Sequence, residues 1–249
     1  MSRLRVLILG GTGEGAAIAR ALEGKAAVTS SLAGRTRHPA ALAGKVRTGG
    51  FGGAAGLARY LREERIERLI DATHPFAARI SAHAREAAER TGVPRVAVVR
   101  KMWRQEPGDR WICVPDASAA AAALAGLPDA VFLTLGPGDL DAFAGLGDRR
   151  FVLRRIAPGP SPLPNAAVVL ARGPFDLAAE RRLFDDYGIG TLVTRASGGA
   201  ATEAKITAAR ERDMPVVMIR RPPPEPGPCV SGVEEAVAWT LSSAGSGSS

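Results

Sequence analysis

Residues 5–22 read RVLILGGTGEGAAIARAL. Arg5–Leu9 is a short, nearly continuous apolar run that stops at a glycine pair, and Gly13–Leu22 then carries its apolar residues at helical spacing. A run of that length bounded by glycine reads as a strand buried on both faces, and the rapid change to a helix opens a βαβ unit. The alternation continues outward. Ala27–Leu32, Leu69–Ala72 and Arg95–Val99 read as strands, and Ala54–Glu64 and Pro75–Arg90 as helices. Pro75 stands in a first turn, where its missing N–H costs nothing. The pattern then restarts, with strands at Ala130–Leu135, Phe151–Arg154, Ala167–Leu170, Thr191–Thr194 and Pro215–Ile219. Helices are expected at Asp176–Tyr187, after the turn Ser197-Gly198-Gly199 through Arg212, and at Glu234–Leu241, and Ala157–Asn165 is turn-rich. Strands separated by helices predict parallel sheets with right-handed crossovers.

The expected fold class is α/β, two Rossmann-like parallel-sheet halves facing a shared cleft. The N-terminal half covers 1–100, a linker region 101–112, the C-terminal half 113–241 and a flexible Ser/Gly-rich tail 242–249. The linker is placed where periodicity is lost, around Trp103 and Gly108. Ligands of such sheets bind at the carboxyl ends of the strands.

Composition sets the limits. With 249 residues, 46% hydrophobic and 23% charged, the chain can bury a substantial core and is not predominantly disordered. No apolar run reaches the roughly 18–20 residues of a membrane helix, and the N-terminus lacks a secretion signal. Cys113 and Cys229 are too few for a disulfide framework and read as buried thiols in a reducing cytoplasm. Three histidines and no Cys-x-x-Cys predict no metal site. Lys plus Arg is 33 against 25 acidic residues, a net charge of +8, and only Lys25, Lys45, Lys101 and Lys205 are lysines. Arginine suits bidentate grip on carboxylate and phosphate. The arginines are scattered and aromatics are 5%, unlike a nucleic-acid reader. Nucleic acid, an anionic membrane and a small polyanion all fit the charge, and a solvated Arg-rich surface accounts for it as well; the expected partner is a small polycarboxylate, with neither nucleic acid nor membrane, and the chain is taken as a monomer.

Five motifs carry chemistry. Gly10, Gly11, Thr12, Gly13 and Glu14 follow the first strand and open a helix, the context of a dinucleotide loop, although the spacing is not G-x-G-x-x-G. A tight turn that needs glycine for packing accounts for the same residues, and Glu14 places a negative charge where a phosphate would sit. After the second strand come Ser31, Gly34 and Arg35, with no acid; an Arg there favours a 2′-phosphate and hence NADPH. Gly49-Gly50-Phe51-Gly52-Gly53 implies close approach of a ligand, positive φ angles or a flexible loop. Thr73, His74 and Pro75 follow the third strand next to a helix start, and His74 is the candidate for proton chemistry. In the second half, Gly136, Arg172, Gly173, Arg195, Ser197, Gly198 and Gly199 lie in three turns after strands, with Lys205 and Arg221 nearby, and together suit carboxylates. A dinucleotide half and an anion-gripping half suggest a reductase of a polycarboxylate. There is no Tyr-x-x-x-Lys, G-x-S-x-G, Walker A or H-E-x-x-H, and hydride transfer requires none of them.

The chain resembles the precorrin-6A reductase (precorrin-6x reductase) family of cobalamin biosynthesis. The resemblance spans about residues 5–222 and rests on Ile8–Glu14, Ser31–Thr36, Gly49–Gly53, Asp71–Ala77, Arg100 with Trp103, Gly173–Phe175, Ser197–Gly199, Lys205 and Arg221-Pro222. It places Glu14 in a family pattern. It implies hydride transfer from NADPH and a proton to one double bond of a tetrapyrrole rich in acetate and propionate arms, with no metal or flavin. A sister branch takes the cobalt-containing substrate. The chain has Arg195-Ala196 where the family more usually has Lys followed by Asp or Asn, and Pro137 where Arg is common. The proton donor is thus left among water, a substrate carboxyl and His74. Two other readings fit the motifs: an NADP-dependent reductase of another polycarboxylate, and a non-catalytic nucleotide-sensing module.

Overall fold

In the computed structural model, residues 3–34, 42–159, 161–163 and 165–242 are described. In chain order the elements are β1 (Arg5–Leu9), α1 (Gly13–Ala21), β2 (Ala27–Leu32), β3 (Lys45–Thr48), α2 (Gly53–Glu63), β4 (Arg68–Asp71), α3 (Ala78–Thr91) and β5 (Arg95–Val98). These are followed by β6 (Arg110–Val114), α4 (Ala117–Ala122), β7 (Ala130–Thr134), β8 (Arg150–Arg155), β9 (Ala166–Leu170) and α5 (Leu177–Tyr187). The last are β10 (Thr191–Arg195), α6 (Ala204–Arg210), β11 (Pro215–Ile219), β12 (Cys229–Val230) and α7 (Val233–Leu241), with 3-10 turns at Pro137–Phe143 and Ala200–Thr202. The chain divides into two compact units, residues 1–100 with 222–249 and residues 101–221.

Unit 1 is a six-stranded sheet in the order β12-β5-β4-β1-β2-β3, and every pairing is parallel. The apolar run of β1 is explained by burial on both faces. Val6 and Ile8 pack with Ile18 of α1 and Ala236 of α7, while Leu7 and Leu9 pack with Leu57 and Leu61 of α2 and Ala84 and Ala87 of α3. Unit 2 has the sheet order β6-β11-β10-β7-β8-β9, again all parallel. Phe132, Val152, Leu192 and Val216 of its strands pack with Phe184 of α5 and Ile206 of α6.

Strand order makes a topological switch in each sheet. β1 leads to β2 and β3 on one side and borders β4 on the other; β7 leads to β8 and β9 on one side and borders β10 on the other. Open parallel sheets bind ligands at such points. The two sheets predicted from sequence are present, but several boundaries move. The span 101–112 is not only a linker, because β6 begins at Arg110 and pairs with β11. The second unit ends at Arg221, not at 241: β12 and α7 return to the first sheet, where Cys229 pairs with Ala97. β3 was not legible because its residues are mostly exposed at a sheet edge. α3 starts at Ala78, leaving Pro75 in the preceding turn, where the Ala77 amide bonds to the His74 carbonyl. Cys113 and Cys229 are exposed rather than buried, since both lie on edge strands, β6 and β12. Among the described residues no helix is long and apolar enough to cross a membrane.

Deleting residues 222–249 is expected to destabilise unit 1 by several kcal/mol, because it uncovers Val96, Val98 and their neighbours, each worth about 1.5–3 kcal/mol when buried. Urea unfolding of the shortened chain checks this; an unchanged midpoint for the first unit would contradict it.

Candidate functional site

At the switch point of unit 1, Thr12 is the N-cap of α1. Its Oγ1 accepts from the Gly15 amide at 3.1 Å and donates to the Ala72 carbonyl at 2.7 Å. One hydroxyl thus caps the helix and ties the loop after β1 to the end of β4. A Cβ on Gly15 would stand 3.3 Å from Gly10 Cα, whereas Cβ atoms on Gly11 and Gly13 would meet nothing within 4 Å. The inner glycine answers a packing need, and the outer ones leave bare backbone open at a helix N-terminus, which suits a phosphate. Glu14 is held by both arms of Arg100, Nε to Oε1 at 2.7 Å and Nη2 to Oε2 at 2.8 Å. The carboxylate that would oppose a phosphate is therefore neutralised by an arginine just past β5.

Ser31 is buried, and its carbonyl accepts from the Gly10 amide at 2.9 Å. Arg35 lies outside the described residues. Of the five residues 49–53, Gly49, Gly52 and Gly53 have φ of 110°, 78° and 91°, and Gly52 caps α2. The conformation is the reason for the glycine run. Gly50 is exposed and Phe51 half-buried, stacked edge-on with Tyr60 at 5.3 Å. Arg47, which no motif signalled, reaches into this loop: its Nη1 donates to Gly49 O at 2.5 Å, its Nη2 to Gly50 O at 2.7 Å, and its guanidinium lies 3.8 Å from the Phe51 ring centre.

Past β4, Asp71 is buried and its Oδ1 accepts from the Thr73 amide at 3.2 Å and hydroxyl at 2.7 Å, with Arg95 3.8 Å from its other oxygen. Thr73 also shares a hydrogen bond with Ser81 at 3.2 Å. His74 and Pro75 are half-buried in the turn, and His74 Nδ1 accepts from the Phe76 amide at 3.3 Å. Gly10, Gly11, Thr12, Gly13, Ser31, Gly50 and His74 all border the strand ends of one sheet. Bare glycine backbone, a helix N-terminus and a compensated acid fit a dinucleotide.

In unit 2, Arg195 spans the switch between β7 and β10. It pairs with Asp139 at 2.5 Å, and its guanidinium would be 3.6 Å from a Cβ on Gly136. Ser197 and Gly198 are buried. Gly198, with φ of 66°, has no room for a side chain: a Cβ would approach the Lys101 carbonyl to 2.3 Å. Trp103 Nε1 donates to Gly199 O at 3.1 Å, and Arg221 donates to the carbonyls of Ala196 and Ser197 at 3.2 and 2.5 Å. Arg221 and Gly198 therefore shape the loop, while Arg172 and Gly173 are exposed after β9.

Lys205, expected among the residues that suit carboxylates, lies inside unit 2. It is 4% exposed, donates to Thr202 O at 2.9 Å and sits 5.1 Å from the Trp103 ring centre. Burial lowers its pKa from 10.5 to about 7; the Glu180 charge opposes the shift and Arg154 adds to it. Glu180, 1% exposed, is itself forked by Arg154 with two contacts of 2.7 Å. Among the described residues no group of three or more His, Cys, Asp or Glu could hold a metal ion.

A family model described as precorrin-6x reductase CbiJ/CobK matches residues 5–241. The precorrin-6A reductase of Rhodococcus erythropolis is 46% identical over 239 residues, covering 94% of this chain and 96% of the relative. That of Rhodobacter capsulatus is 43% identical over 239 residues, covering 94% and 95%. A solved structure titled CobK precorrin-6A reductase superposes with a TM-score of 0.90 at 42% identity and covers 95% of each chain.

The Lys205 shift has a sign that can be measured. Between about 7 and 10.5 the unfolded chain holds a proton on Lys205 that the folded chain lacks, so stability gained from this site rises with pH across that window. The penalty is full below the lower value and gone above the upper one. Lys205→Met is expected to flatten the pH dependence of urea unfolding relative to the parent; parallel curves would contradict the assignment.

Proposed function

The chain belongs to the precorrin-6x reductase family, and from that premise we propose that it reduces one double bond of precorrin-6A to give precorrin-6B, with NADPH as reductant, in the cytoplasm. It is an oxidoreductase acting on a CH–CH bond. The observation that carries the reading is the continuity of the family match from residue 5 to residue 241, through both sheets. The relatives named above are precorrin-6A reductases.

The residues of this chain divide the work by unit. Gly10, Gly11, Thr12 and Gly13 offer amides to the diphosphate, with Glu14 held away by Arg100. Ser31, Gly50 and Phe51 border the adenosine end, and Thr73, His74 and Pro75 the loop past β4. When bound, the reduced nicotinamide supplies the hydride. The accompanying proton comes from water, a substrate carboxyl or His74. In unit 2, Gly136, Arg172, Gly173, Arg195 and the Ser197–Gly199 turn hold carboxylate arms of the tetrapyrrole. Catalysis under this reading is chiefly positioning: the protein fixes the reacting carbon and supplies cations for the arms.

The test is an anaerobic assay with precorrin-6A and either NADPH or NADH. Oxidation of the nicotinamide with a substrate mass gain of two hydrogens is the expected result, faster with NADPH. Absence of turnover, including with the cobalt-containing substrate, would overturn the reading. Arg35→Ala is expected to weaken NADPH binding far more than NADH binding; equal loss for both would remove the 2′-phosphate role of Arg35.

A further inference from the structure

We propose that Arg47 is a second specificity-determining residue for the nucleotide, gripping the 2′-phosphate that distinguishes NADPH from NADH. The proposal rests on the NADPH reading above. It comes from how this guanidinium is held and from what it lacks.

Four inward guanidinium groups, those of Arg95, Arg100, Arg154 and Arg195, each face a carboxylate, at 3.8, 2.7, 2.7 and 2.5 Å. Arg47 faces none among the described residues. Its partners are two loop carbonyls and the Ser31 hydroxyl, which accepts from Nη1 at 3.4 Å. The Phe51 ring lies 3.8 Å from the guanidinium and Tyr60 5.3 Å. A fixed, aromatic-backed and half-buried cation without a counter-charge is an anion site already formed, so little side-chain freedom is lost when an anion arrives.

The location identifies the anion. Arg47 and Ser31 are register partners on β3 and β2, so their side chains leave the same face of the sheet. The Ser31 carbonyl receives the Gly10 amide, which places this pair beside the loop after β1. In sheets of this topology the ribose 2′ position lies past the end of β2, where an acid takes a hydroxyl and an arginine takes a phosphate. Ser31, Leu32, Ala33 and Gly34 supply no acid.

The experiment is calorimetric titration of the parent, Arg47→Ala and Arg47→Lys with NADPH and NADH, and with adenosine 2′,5′-bisphosphate and adenosine 5′-monophosphate. Arg47→Ala is expected to weaken NADPH and the bisphosphate about ten- to a hundred-fold, the size of a lost charge-assisted hydrogen-bond set, while NADH and the monophosphate change by less than about three-fold. Arg47→Lys keeps the charge without the fork; it should retain the fold and still lose most of the preference, and this variant decides the matter if the alanine protein does not fold. Equal weakening of all four ligands would mean that Arg47 only shapes the glycine loop, and would overturn the proposal. Unchanged preference in both variants would overturn it while leaving the NADPH reading intact. A parent protein that binds NADPH and NADH alike would overturn both.

Discussion

The Thr12 hydroxyl closes two constraints at once: it accepts the Gly15 amide and donates to the Ala72 carbonyl. Strands β1 and β4 are neighbours in the sheet but distant in sequence, and their following loops must diverge because the chain crosses over opposite faces. A crevice forms there by topology, and its walls would otherwise be two independent turns. Thr12 makes them one surface, and the close approach of Gly15 to Gly10 fixes the curvature of that surface. Everything assigned to the first unit, from the exposed glycine backbone to the His74 turn, is positioned relative to this tie. The second sheet solves the same topological problem with charge: Arg195 at the end of β10 reaches Asp139, past β7.

The arginine content takes on a different meaning once positions are known. Several arginines are structural ties as well as surface charge. Arg95 with Asp71, Arg100 with Glu14 and Arg154 with Glu180 lie at or near strand ends and are mostly buried. Buried pairs contribute little net stability after desolvation, but removing one partner is costly. Their effect is to hold a loop in one geometry. Lys205 illustrates the alternative. Its ammonium is buried without a bonded carboxylate, so its affinity for the proton falls to near neutrality, whereas an arginine at such a site would remain charged.

The sequence made the buried strands legible because an apolar run between glycines has few other readings; β1, β2, β7 and β10 start where the pattern places them. The motif turns were legible for the same reason. What escaped detection had weak local signals. β3 is exposed, β12 is two residues long, and β6 sits in a stretch that reads as linker. The last two are defined by non-local pairings, β12 with β5 and β6 with β11. The burial of Lys205 and the stacking of Arg47 on Phe51 likewise depend on tertiary neighbours that spacing does not encode. Glu14 was the opposite case: its charge looked misplaced in the loop until Arg100, 86 residues away, supplied its partner.

The same non-local logic explains residues in and around the points where the chain changes unit. Arg100 ends the first pass through unit 1, and its fork holds Glu14 in the loop after β1. Lys101 begins unit 2, and its carbonyl is what forbids a side chain on Gly198. Trp103 then fixes the Gly199 carbonyl, and Arg221, the last residue of that unit, fixes those of Ala196 and Ser197. The places where the backbone passes from one unit to the other are thus anchored, within each unit, to the loops proposed to hold ligand. The Lys101 carbonyl and the Trp103 indole, both in a stretch without regular structure, set the shape of the Gly198–Gly199 turn.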